Sequence, residues 1–285
     1  MIDDALISRH VSPMTPVSTG MTPGGQLAFR VQCILFDIYG TLFISGTGDI
    51  SLARDSFHRS DRFEGLLREY GVDDDPEGLI AKFVAAIEKS HLKSRQDGID
   101  YPEVQIDEIW ASILGISDRA TVRRFAVEFE LLANPIYPMP HLKSVLMACR
   151  ESGIGMGIIS NAQFYTPRLF EWFLGSSLAD LGFLPELTYF SYETGQAKPS
   201  LVMFESAKQV LNKKNISTDR TLYVGNDMRN DIYPAQSVGF ATALFAVDSR
   251  SLRLREEDPV CEGLAADLII TDLRQILNWL PKKKC

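Results

Sequence analysis

The sequence predicts an α/β protein: a Rossmann-like, doubly wound parallel sheet with a helical segment inserted after its first strand. Two observations predict it. After Pro140, short apolar runs of strand length alternate with stretches of helical periodicity, which is the pattern of parallel βαβ units. Upstream, one further apolar run, from Phe29 to Phe36, is separated from that series by a long segment of helical character.

Taken in order, Met1 to Gln26 is rich in Ser, Thr, Pro and Gly with little periodicity, so residues 1–27 read as a mobile leader. The run ending Val-Gln-Cys-Ile-Leu-Phe reads as a strand buried on both faces. It opens a core assigned to residues 28–48 and 138–285. Residues 49–137 read as a helical cap. From Gly78 to Arg95, Leu79, Ile80, Phe83, Val84, Ile87 and Leu92 share one helical face. Asp107 to Leu114 and Thr121 to Leu132 also read as helical. The breakers Val-Asp-Asp-Asp-Pro and Asn-Pro-Ile-Tyr-Pro-Met-Pro punctuate the segment, and it holds no convincing strand of its own. Beyond it, helices are expected at His141 to Ser152, Arg168 to Phe173, Leu201 to Asn212, Asp231 to Val238 and Leu273 to Leu280. The strands between them are expected at Gly155 to Ser160, Leu187 to Ser191, Thr221 to Val224, Ala241 to Val247 and Ala266 to Ile270.

Composition narrows the function classes. The chain has 285 residues, 45% hydrophobic and 23% charged, enough apolar material for a sizeable core. Its net charge of -8 gives no global electrostatic support for binding nucleic acid or an anionic membrane. A phosphate-bearing ligand would need a local positive feature or a bound metal. No apolar run approaches the length of a membrane span, and the N-terminus does not read as a signal peptide. A reducing cytoplasm is the expected compartment. Cys33, Cys149, Cys261 and Cys285 form no CxxC pair, so no zinc knuckle or redox motif is encoded. His10, His58, His91 and His141 show no paired spacing, and no catalytic role is assigned to them. Arg54, Arg59 and Arg62 read as a solvated basic helix face, and Lys282, Lys283 and Lys284 as a solubilising tail.

The chemistry gathers at strand ends, where ligands bind on parallel sheets. The first strand ends in Asp37-Ile38-Tyr39-Gly40-Thr41. A second ends in Ser160-Asn161, and a third in Gly225-Asn226-Asp227-Met228-Arg229-Asn230-Asp231. A loop between the last two carries Lys198-Pro199. If the sheet is parallel, all four face one crevice. Asp37, Asp227 and Asp231 would then repel one another, and a divalent cation would resolve the repulsion. Oxygen ligands with few His or Cys suggest Mg²⁺ over zinc. Lys198 adds a positive charge, and Ser160 and Asn161 can donate to an oxyanion.

This ordered set resembles the haloacid dehalogenase superfamily, over the chain from about Val31 to the C-terminal helix. The resemblance implies that Asp37 is a nucleophile forming a covalent aspartyl intermediate. It implies that Thr41, Ser160 and Asn161 position the transferred group and that Lys198 neutralises developing charge. Asp37, the backbone carbonyl of Tyr39 and Asp227 would ligate Mg²⁺, and Asp231 would orient Lys198 or the metal shell. The helical insert resembles the family's cap, which closes over a small substrate.

One residue departs from the phosphatase pattern. Phosphatases of this family carry a second Asp two positions after the nucleophile as general acid and base, and here that position is Tyr39. Tyrosine there resembles the 2-haloacid dehalogenases, whose halide leaving group needs no proton. The acidic run ending at Asp231 resembles metal-dependent phosphatases instead. The expected function is therefore a Mg²⁺-dependent phosphatase of a small, anionic, phosphorylated metabolite, acting through an aspartyl-phosphate on Asp37. A metal-independent 2-haloacid dehalogenase and a degenerate, non-catalytic binding member are the alternatives.

Overall fold

The computed structural model describes residues 4–46 and 61–281. Arg54, His58, Arg59 and the lysines from Lys282 to Lys284 lie outside the described residues.

The strand β2 (Cys33–Phe36) explains the architecture. All four of its residues are buried. Side chains alternate between the faces of a strand, so its two pairs enter different cores. Ile34 and Phe36 join a cluster with Val145, Leu146, Leu169 and Phe170. Cys33 and Leu35 join a second cluster with Met203, Phe204, Ala207 and Leu211. Helices Leu142–Glu151 and Arg168–Leu174 therefore cover one face, and Val202–Lys213 covers the other. Each large apolar side chain fully buried this way contributes about 1.5–3 kcal/mol.

Around β2 the sheet has seven strands in the order β1-β9-β8-β7-β2-β5-β6. These are β1 (Gly24–Gly25), β5 (Gly155–Ser160), β6 (Phe183–Phe190), β7 (Thr221–Gly225), β8 (Ala241–Phe245) and β9 (Leu268–Ile270). All pairings are parallel except β1 on β9. Register fixes the site. Phe36 lies opposite Ile158 on β5 and Val224 on β7. The chain therefore leaves three adjacent strands at nearly one level, at Asp37, Ser160 and Gly225.

Among the described residues, the segment between the two parts of the core is helical. Its helices are Asp61–Glu69, Pro76–Gln96, Ile106–Leu114 and Arg119–Ala133. The Asp75 carboxylate caps the second by accepting from the Gly78 amide at 2.8 Å, with Pro76 at the first helical position. Gly115, left-handed at φ 64°, ends the third. Phe83 stacks on Trp110 at 4.3 Å between ring centroids, and Phe129 meets Trp110 edge-on at 4.7 Å. The chain leaves and re-enters the core through an antiparallel ribbon, β3 (Phe43–Ser45) on β4 (Ile136–Pro138). No alternation in the sequence announces this ribbon.

Within the segment read as a mobile leader, the described residues 4–27 pack against the rest of the chain. Within helix Asp4–His10, Leu6 and Ile7 are buried, and Nε2 of His10 lies 2.8 Å from Glu128 Oε2. Further on, Ser249 donates its amide to the Val17 carbonyl at 2.8 Å, and β1 extends the sheet edge. The segment is a strap from the helical insert to the far sheet edge. Its anchors are two apolar side chains, polar contacts from Arg9, His10 and Thr19, and backbone pairing, none of which requires periodicity. The helix expected from Asp231 also starts earlier and differently, as a π-turn at Met228–Ile232 running into helix Tyr233–Ser237. No helix among the described residues is long and apolar enough to cross a membrane.

Candidate active site

At the end of β2 the Asp37 amide still donates to Val224 on β7, at 2.9 Å. The chain then turns sharply. The Ile38 carbonyl accepts from the amides of Leu42 and Phe43, both at 2.9 Å, and Gly40 takes φ +82°. A Cβ on Gly40 would come within 2.6 Å of the Asn226 amide nitrogen, so the position requires glycine on two grounds.

This turn delivers Asp37 to a buried charge cluster. Asp37 Oδ1 accepts from Ser160 Oγ at 2.8 Å and from Lys198 Nζ at 2.7 Å. Lys198 Nζ also donates to Asp231 Oδ1 at 2.6 Å and to the Tyr223 hydroxyl at 3.3 Å. Asp231 Oδ2 accepts the amides of Asn226 and Asp227, both at 3.0 Å. Its approach to β7 is so close that a Cβ on Gly225 would lie 2.4 Å from its Cγ. Burial alone would strip the proton from Lys198, but Asp231 and Asp37 outweigh it and raise its pKa. Burial, with Asp37 and Asp227 nearby, lifts the Asp231 carboxyl to about 6 against the opposing pull of Lys198.

The expected residues divide into two groups. Asp37, Tyr39, Asn161, Lys198, Asp227 and Asp231 all line one cavity of about 510 Å³. Thr41 and Ser160, both fully buried, stand behind that wall. Thr41 Oγ1 donates to Asn226 Oδ1 at 3.1 Å, so it acts on the loop after β7. Asn161 is engaged as well. Its Oδ1 accepts from the Lys198 amide at 2.7 Å and its Nδ2 reaches the Lys198 carbonyl at 3.4 Å, which fixes the lysine's backbone. The Tyr39 hydroxyl pairs with Thr166 Oγ1 at 2.8 Å, and burial raises its pKa far above the ordinary phenol range.

Asp37 Oδ2 and the Tyr39 carbonyl receive no donor among the described residues, so both suit a hard divalent cation. Asp227 does not fit beside them as it stands. Its Oδ1 accepts the amides of Arg229 and Asn230 at 2.9 and 3.1 Å. Its Oδ2 accepts Asn230 Nδ2 at 3.1 Å and Arg255 Nη2 at 2.7 Å, and Arg255 Nε lies 3.2 Å from Oδ1. A carboxylate has about four lone-pair sites, and these donors fill them. Lys198 and Arg255 supply charge that compensates the three carboxylates. Among the described residues no group of three or more His, Cys, Asp or Glu could hold a metal ion.

Sequence reasoning missed several wall residues. Asn226, Arg253 and Arg255 come from the β7 end and the stretch after β8, and Glu103, Glu130, Asn134 and His91 from the insert and its flank. Asn226 carried a usable signal, since it immediately follows a strand end. The others lie on helices and loops where no spacing marks them.

The family model of the haloacid dehalogenase-like hydrolases matches residues 31–239. The chain belongs to that family and is an enzyme of its hydrolase class. It is similar to the glyceraldehyde 3-phosphate phosphatase of Methanocaldococcus jannaschii, with 24% identity over 192 residues, covering 66% of this chain and 79% of that protein. Among solved structures, an L-2-haloacid dehalogenase superposes with a TM-score of 0.51 at 16% identity, over 88% of this chain and 99% of the other. A dehalogenase in an intermediate complex superposes at 0.50 and 15% identity, over 90% of this chain and all of the other. At these identities the likeness is one of fold.

Proposed function

We propose that this hydrolase is a phosphatase of a small phosphorylated metabolite, with Asp37 as the attacking group. One observation carries the reading. Asp37 is anchored through Oδ1 by Lys198 and Ser160, while Oδ2 is left without a donor among the described residues in the wall of a cavity. A carboxylate held on one oxygen and open on the other is oriented for attack on phosphorus. Lys198 is placed to neutralise charge as it develops. The phosphatase relative adds support. So does the cavity wall, to which Ile87, Glu130 and Asn134 contribute from the insert, because a lid of helices favours a small substrate.

Magnesium, where bound, would polarise the phosphoryl oxygens. Asp37 Oδ2 and the Tyr39 carbonyl are the donors open to it, and Asp227 would first have to release Arg255.

The second reading, a metal-independent dehalogenase of 2-haloacids, has one observation in its favour. Arg255 neutralises Asp227 without any cation. The two readings separate in one assay. Phosphate release from a panel of phosphorylated metabolites is measured with and without Mg²⁺, beside halide release from 2-haloacids in a chelator. The phosphatase reading expects phosphate release that falls by 10⁴-fold or more, on the order of the loss of a covalent nucleophile, in Asp37→Asn. Halide release in chelator with no Asp37-dependent phosphate release would overturn it.

A further inference from the structure

Hydrolysis of an alkyl phosphate near neutral pH needs a proton for the departing oxygen and a base for the incoming water. The wall of the cavity offers few groups for this. Asp37 attacks. Asp227 is paired with Arg255, and Asp231 is spent on Lys198, Tyr223 and two amides. Tyr39 holds its proton too tightly and faces Thr166. Glu103 has both oxygens occupied, by the Val104 amide and Gln163 on one side and Ser191 on the other. Burial and Arg95 lower the pKa of His91, which disfavours its charged form as an acid. Glu130 remains.

We propose that Glu130, from the insert helix Arg119–Ala133, is the general acid and base of this site, lining the same cavity as Asp37. The proposal rests on the phosphatase reading and deepens it. Glu130 is only 7% exposed and lines the cavity with Asp37, Tyr39 and Lys198. Its partners are Asn134 Nδ2, 3.3 Å from Oε1, and the Tyr165 hydroxyl. Asn134 is itself held by Ser45 Oγ at 2.9 Å, at the ribbon where the insert joins the core. These neutral partners orient the carboxyl without fixing its charge. The ionisable groups facing it from the core are the phenols of Tyr165 and Tyr39, both kept neutral by burial. Burial lifts the Glu130 carboxyl to about 7, opposed in part by the bonds from Asn134 and Tyr165. A carboxyl in that range both gives and takes protons at neutral pH.

The chemistry balances in two steps. Asp37 Oδ2 forms a bond to phosphorus as the ester P–O bond breaks, and the leaving oxygen takes the Glu130 proton. Water then attacks phosphorus and gives its proton to the Glu130 carboxylate. The P–O bond to Asp37 breaks, phosphate leaves, and both carboxyls return to their starting states.

The experiment compares glycerol 3-phosphate, whose leaving group needs a proton, with p-nitrophenyl phosphate, whose leaving group does not. Wild type, Glu130→Gln, Glu130→Asp and His91→Gln are assayed on both, with thermal melts as a folding control. The expected result is a loss in kcat/KM of about 10²–10⁴-fold for Glu130→Gln on glycerol 3-phosphate. On p-nitrophenyl phosphate the same variant keeps a fast first step, seen as a burst of nitrophenolate followed by slow turnover. Glu130→Asp recovers part of the loss, and His91→Gln shows none of this pattern. Equal losses on both esters, or no loss on either, would overturn the proposal while leaving the phosphatase reading intact. No Asp37-dependent phosphate release from wild type on either ester would overturn both. Should Glu130→Gln fail to fold, the wild-type pH profile decides. For glycerol 3-phosphate, kcat/KM falls tenfold per pH unit above about 7, because the acid must be protonated. For p-nitrophenyl phosphate that limb is absent, and the same limb on both esters would overturn the proposal.

Discussion

Asp37, Lys198 and Asp231 show how single residues set the character of this site. Two carboxylates share one ammonium, and each remaining oxygen either meets a backbone amide or is left for chemistry. Lys198 therefore holds the cluster together, because a buried charge stripped of its partner is costly. Asp227 follows the same logic with a different partner. Its carboxylate closes the π-turn at Met228–Ile232 and pairs with Arg255. Arg255→Gln removes the guanidinium from Asp227. In thermal melts, added Mg²⁺ should then stabilise the variant more than wild type. A tenfold gain in affinity is worth about 1.4 kcal/mol at saturating metal. Equal Mg²⁺ shifts in the two proteins would mean that Arg255 does not guard this carboxylate.

At the scale of elements, the unexpected feature is the N-terminal strap. Its helix Asp4–His10 lies against helix Arg119–Ala133, the helix that carries Glu128 and Glu130. Leu6 is 2% exposed, so Leu6→Ala should cost about 2–5 kcal/mol in chemical denaturation. A loss below 0.5 kcal/mol, typical of exposed positions, would show that the helix does not dock. The strap also carries a pH signature. Burial opposes ionisation of Glu128, but the bonds from His10, Tyr70 and Arg124 prevail and hold its pKa at about 2. A depressed carboxylate contributes stability above its unfolded pKa and loses it as pH falls. This contribution should fade between about pH 4.5 and 2, and Glu128→Gln should flatten that part of the stability curve.

For the whole molecule, the core was legible because its strands are buried on both faces and read as unbroken apolar runs, as in Gly155–Ser160. The crevice was legible because a parallel sheet places its strand ends together, which brought Asp37, Asn161, Lys198, Asp227 and Asp231 to one cavity from positions far apart in sequence. Other features resisted for physical reasons. The β3–β4 ribbon has three residues per strand, too few for an alternation to register. The strap is held by two apolar side chains, a few polar side-chain contacts and backbone pairing, none of which needs a periodic pattern. Arg255 and Glu130 reach the site only through the path of the chain, and on their own elements they look like ordinary charged residues.

The central claim is that Asp37 attacks the substrate and carries the transferred group. Its most direct test is mass spectrometry of the protein acid-quenched during steady-state turnover of p-nitrophenyl phosphate. The account predicts a phosphoryl adduct on the peptide containing Asp37, enriched in Glu130→Gln and absent in Asp37→Asn. Phosphate release from an active wild-type enzyme with no adduct on that peptide, even in Glu130→Gln, would contradict it.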